Sequence, residues 1–120
     1  MKKTDKKIDN SIRKALTEVC EMALNELSGF EWLTHFVNFS HFPRSLLIVC
    51  IFDTNDNLSY ILNSHKDDYM YKLIEEKLIT VGIHIKDIRR QVNFDTEEDC
   101  KYENMGKWKE RFKYLNHGTS

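Results

Sequence analysis

The sequence predicts an α+β domain in which a small mixed, mainly antiparallel sheet of three to four strands packs with helices in the order α-β-β-α-α-β(β)-α-α. Three observations predict it. The run Ser45-Leu46-Leu47-Ile48-Val49-Cys50-Ile51-Phe52 has strand length, is rich in β-branched residues and is apolar at both parities, which marks a strand covered on both faces. An aromatic-rich stretch lies just before it, close enough for an antiparallel hairpin. Helical periodicity precedes this hairpin and returns after it, so helices and strands share one core.

The first helix is defined by Ile8, Ile12, Ala15, Leu16, Val19, Met22, Ala23 and Leu27 at intervals of three and four, with Thr4 as expected N-cap and Ser28-Gly29 as a left-handed stop. A strand is expected over Phe30–Phe39, where Phe30, Trp32 and Phe36 share one parity and Leu33, Val37 and Phe39 the other. Neither face looks solvated, so either helices cover both or one face meets a partner. After the polar turn Asp53-Thr54-Asn55-Asp56-Asn57, the residues Leu58, Ile61 and Leu62 predict a short helix. A longer one is expected from Asp67 to Val81, closed by Gly82. Ile83-His84-Ile85 and Ile88–Phe94 alternate with period two and predict two short outer strands or one bulged strand. Thr96 with an acid three residues later opens a further helix in the manner of a capping box. Trp108, Phe112 and Leu115 give a last helix after Gly106.

A length of 120 residues suits one domain, read here as residues 1–115 with a frayed tail at 116–120. The apolar runs are too short to span a bilayer and the basic start lacks the apolar stretch of a signal peptide, so the expected location is cytoplasmic. Cys20, Cys50 and Cys100 are odd in number and far apart, which suggests buried thiols rather than a disulfide framework. The five histidines show no ligand spacing, so no metal or cofactor is expected.

Formal net charge is -1, but it is unevenly spread: residues 1–14 carry six basic and two acidic side chains, residues 101–113 five and two, and the middle is acidic. Lys6, Lys7, Arg13, Lys14, Lys107, Lys109 and Arg111 are therefore candidates for nucleic-acid contact if the two ends meet; otherwise they are solvated helix faces. The near-repeat Phe52-Asp53-Thr54 and Phe94-Asp95-Thr96 places an acid after each of two strands. On adjacent parallel strands Asp53 and Asp95, with Glu31, are the candidates for holding Mg²⁺; the simpler role for such Asp-Thr pairs is to cap helices. Phe30, Trp32, Phe36, Phe39 and Phe42 form the candidate ligand surface or dimer interface, with core packing as the alternative.

The segments Thr4-Asp5-Lys6-Lys7-Ile8, Leu16-Thr17-Glu18-Val19-Cys20-Glu21, Gly29–His35, Ile48–Thr54 and Phe94–Glu98 together resemble, over nearly the whole chain, a family of short uncharacterised bacterial proteins that carry the automatic label "Fis family transcriptional regulator". The resemblance implies a bacterial protein, and the label implies a nucleic-acid-associated regulator. Genuine Fis is an all-helical dimer with a C-terminal helix-turn-helix. The present sequence has a buried strand and an aromatic hairpin instead, and the resemblance assigns no catalytic or binding residues. The leading expectation is a non-enzymatic module that binds a protein or small-molecule partner, as a homodimer. A nucleic-acid-associated regulator and a Mg²⁺-dependent nuclease or phosphodiesterase are the alternatives.

Overall fold

The computed structural model describes the backbone of residues 2–119 and the side chains of residues 2–113. Leu115 and the expected tail at 116–120 therefore lie outside the described side chains. The elements run α1 (Lys3–Glu26), β1 (Phe30–Phe36), β2 (Leu47–Phe52), α2 (Asn55–Asn63), α3 (Asp67–Thr80), α4 (Ile88–Gln91), β3 (Val92–Thr96), α5 (Glu97–Asn104) and α6 (Trp108–Thr119). The sheet has the order β1-β2-β3; β1 pairs antiparallel and β3 parallel to the central β2. This is the α+β arrangement the sequence predicts, with three strands.

All six residues of β2 are buried because each parity meets a helical layer. Ile48, Cys50 and Phe52 point into the larger core with Ile12, Leu16 and Val19 of α1 and Met70, Ile74 and Leu78 of α3. Leu47, Val49 and Ile51 point the other way, where Trp32, Phe36 and the α6 residues Trp108 and Phe112 cover them. The protein's own helices thus flank both faces of the sheet. The second layer is aromatic: Trp32 stands edge-on to Trp108 at 5.1 Å and Phe36 edge-on to Phe112 at 5.0 Å, each contact adding about 0.5–1.5 kcal/mol beyond burial.

A bulge decides which aromatic goes where. Phe30 pairs with Phe52, but Trp32 pairs with Ile51, so Glu31 is the extra residue and the parity of β1 reverses there. Phe30 consequently lies in the α1/α3 core, edge-on to Phe52, while Trp32 and Phe36 face α6. The shared parity that alternation gave to Phe30, Trp32 and Phe36 is corrected by this one-residue slip.

Three further expectations are corrected locally. Thr4 lies within α1, which starts at Lys3 and has no side-chain cap at Lys2. β1 ends at Phe36; Phe39–His41 form a 3₁₀ turn, capped by the Asn38 side chain, ahead of a cis Phe42–Pro43 peptide. Ile83 and Ile85 are buried against the core from an irregular connection and Ile88–Gln91 are helical, so only Val92–Thr96 remain as strand. Two alternating isoleucines do not distinguish a strand from a loop that drops side chains into a core.

Candidate functional site

The carboxyl ends of β2 and β3 build the same turn twice. At each, the aspartate accepts a hydrogen bond from the following threonine N–H, at 2.6 Å for Asp53 to Thr54 and 2.9 Å for Asp95 to Thr96. Each threonine then caps a helix: Thr54 Oγ1 accepts from the Asn57 N–H at 3.1 Å and Thr96 Oγ1 from the Asp99 N–H at 3.0 Å. The two turns are tied together. Thr96 Oγ1 donates to Asn55 Oδ1 at 2.7 Å, Asn55 Nδ2 donates to Asp99 Oδ1 at 2.7 Å, and the Asn55 N–H donates to Glu98 Oε1 at 2.8 Å. Asp99 thus braces α2 instead of completing a capping box on Thr96.

The aspartates themselves diverge. Asn57 Nδ2 donates to both oxygens of Asp53 at 2.9 and 3.1 Å. A Cβ at Gly29, whose φ is +87°, would stand 2.7 Å from Asp53 Oδ1, so glycine is needed there for both conformation and space. Asp95 instead takes the Arg111 guanidinium on both oxygens, at 2.6 and 2.9 Å. Arg111 also reaches Glu103 at 2.7 Å and Asn104 at 2.9 Å, and the Asp95 and Glu103 bonds raise its pKa above the ordinary arginine value. Both candidate metal ligands are engaged by side-chain donors, and Glu31 is exposed at the bulge. Among the described residues no group of three from His, Cys, Asp and Glu could hold a metal ion. The geometry fits capping and bracing.

The basic candidates separate. α1 packs on the face of the sheet opposite α6, and Asp9 near the start of α1 meets His35 near the end of β1, whereas Trp108 at the start of α6 meets Trp32 near the beginning of β1. Lys6, Lys7 and Lys14 therefore lie on a different layer from Lys107 and Lys109, all five exposed. Arg13 is bonded to Asp9, and Arg111 is held in the bracing just described. Of the aromatic candidates, Phe30 is core, Trp32 and Phe36 are half-buried under α6, and Phe39 and Phe42 stack on each other at 6.3 Å in the loop after β1.

No family model, curated protein or solved structure matches the chain.

A groove of about 960 Å³ opens between α1 and β1. Leu33, Thr34, His35, Phe36 and Val37 all line it. Successive strand residues point to opposite faces, so a groove touching four of them in a row, Leu33–Phe36, runs along the backbone edge. That edge is the outer one, because β1 pairs on its other side with β2. Leu16, Thr17, Cys20 and Glu21 of α1 form the opposite wall. At one end His35 Nε2 lies 2.9 Å from Asp9 Oδ1, and Arg13 Nε donates to Asp9 Oδ2 at 2.8 Å. The His35 bond, aided by Arg13 and opposed by burial, holds the Asp9 carboxyl below its usual pKa. Burial pushes the Cys20 thiol up, so it is a poor nucleophile. Of the residues read from the sequence as a ligand surface or interface, Phe36 and Phe39 line this groove; its α1 wall was not anticipated, and the i,i+4 pair Asp9/Arg13 is the signal that hints at an ordered polar cluster there.

Proposed function

We propose that this protein is a binding module that takes an extended segment of a partner protein along the outer edge of β1, beneath α1. The observation that carries the reading is the groove lined by four consecutive residues of β1, Leu33–Phe36, and by Val37 just beyond it. Such an edge offers backbone N–H and C=O groups to an added strand, which supplies affinity through main-chain bonds, while flanking side chains supply selectivity. Among the described residues no backbone–backbone hydrogen bond from outside the sheet reaches Glu31–Phe36, where the Leu33 backbone meets only the Cys20 thiol of α1, whereas β2 is paired on both sides. At about 3.3 Å per residue, a segment of roughly six residues would match this length. Half-buried Leu33 and Val37 give it apolar contacts, and the Asp9–His35–Arg13 cluster gives it a polar end.

The test is selection of short random peptides on the wild-type protein, repeated with Thr17→Arg. Thr17 is exposed on the groove wall, so the arginine fills the groove without disturbing the core. The expected result is a set of alternating, β-prone peptides that bind wild type at micromolar concentration and lose binding to Thr17→Arg. Peptides that bind both proteins equally would move the site elsewhere. A stable dimer in light scattering that Thr17→Arg dissociates would replace the partner's strand by a second copy of this chain.

A further inference from the structure

A second concavity, of about 680 Å³, lies at the amino ends of β2 and β3, and its walls come from the loop before β2 and the segment that leads into β3. Pro43, Arg44, Lys86, Asp87, Arg90 and Gln91 line it. The two walls are held together: Gln91 Nε2 donates to the carbonyls of both Pro43 and Leu46 at 2.9 Å, so the loop that carries Arg44 is fixed to α4. Three cations thus share one hollow against a single carboxylate. Asp87 approaches Arg90 Nε only at 3.5 Å, on an exposed side chain, and Arg44 and Lys86 form no ion pair among the described residues. The lysines of α1 are spread along an exposed helix surface, whereas here three cations line one concave, braced site.

From this grouping we propose that the Arg44/Lys86/Arg90 hollow binds a phosphate-bearing small molecule. Two guanidinium forks and an ammonium match the several acceptor oxygens of a phosphate, and charge-assisted bonds of this kind are the stronger ones. The Pro43 ring and the aliphatic stems of the three cations supply an apolar wall for the ligand's body. The volume falls within the range of roughly 300–1,000 Å³ typical of small-molecule sites. The hollow shares no lining residue with the groove at the β1 edge, and it stands whether or not that edge takes a partner.

The experiment is a titration of the ¹⁵N-labelled full chain with inorganic pyrophosphate and, separately, with adenosine monophosphate, read at the Arg44, Lys86, Arg90 and Gln91 signals. Saturable shifts confined to those residues are expected with at least one probe. The double variant Arg44→Ala/Lys86→Ala should weaken that binding about tenfold or more, since each lost charge-assisted bond to an anion is substantial. Lys6→Ala/Lys7→Ala should leave it unchanged. Linear, unsaturated shifts with both probes, equal loss in the Lys6/Lys7 variant, or a response of these residues to duplex DNA and to neither probe would each overturn the assignment. Both substituted pairs are exposed, so an unchanged melting temperature shows that any loss is local.

Discussion

The carboxyl ends of β2 and β3 and the outer edge of β1 treat their polar groups in opposite ways. At the first, two aspartates, two threonines, Asn55, Asn57 and Arg111 satisfy one another, and Thr96 is buried. At the second, a row of strand backbone fronts an open groove with a three-residue cluster at one end. The acid-rich turns, which in the sequence suit either Mg²⁺ or helix capping, are thus the closed region, and the aromatic stretch, which suits either a ligand surface or core packing, borders the open one. Dense polar residues at strand ends identify where a fold needs bracing as readily as where it acts.

The largest effect that would break this contrast is at Arg111. Removing it leaves Asp95, largely shielded from solvent, without its two charge-assisted bonds, and Arg111→Ala should cost about 2–4 kcal/mol in denaturant unfolding. A loss under about 0.5 kcal/mol would place Arg111 with the exposed cations, where surface pairs contribute little. The two caps offer a sharper test. Thr54→Ala should cost about 1 kcal/mol, the ordinary value for a lost N-cap. Thr96→Ala should cost about 2 kcal/mol, because it also strands the Asn55 side chain bonded to it. Equal costs would show that the two turns do not brace each other.

The groove cluster predicts a pH dependence. The Asp9 pKa is depressed in the folded state, so its contribution is present above the unfolded value and is lost as pH falls through the folded value. Wild type should exceed Asp9→Asn in stability near pH 5, and the gap should close on acidification through and below about pH 4, the ordinary aspartate pKa. A gap that stays constant down to pH 2 would mean that the His35 and Arg13 contacts do not act on the charged form. The smallest effect is expected for Lys6→Glu/Lys7→Glu. It should change stability by less than about 0.5 kcal/mol, since these side chains touch none of the braced sites. Binding of a labelled random duplex should be weak in both proteins; steep salt-dependent binding lost in the variant would restore the nucleic-acid reading.

Much of the fold was legible because its signals are local. The α1 stripe, the doubly apolar β2, the long helix ending near Gly82 and the Thr96 cap each follow from residues within a few positions of one another. What was not legible depends on pairing at a distance. The Glu31 bulge exists because Phe30 pairs with Phe52 and Trp32 with Ile51, and no alternation within β1 alone records that slip. Arg111 read as one cation in a basic end, since nothing in its neighbourhood in sequence points to Asp95 on the other side of α5. Glu97 likewise gave no hint that it would accept from both indoles, Trp32 at 2.6 Å and Trp108 at 3.2 Å, and so join β1, α5 and α6. The groove required the strand order, which sets β1 at the edge and β2 in the middle.

Native-state amide hydrogen exchange on the free protein at low concentration tests the open edge most directly. The amides of β2, bonded on both sides, should exchange only through global unfolding, while alternate amides of Glu31–Phe36, those pointing away from β2, should exchange orders of magnitude faster. Slow exchange at every β1 amide would show that the edge is already covered and would contradict the proposal that a partner's strand adds there.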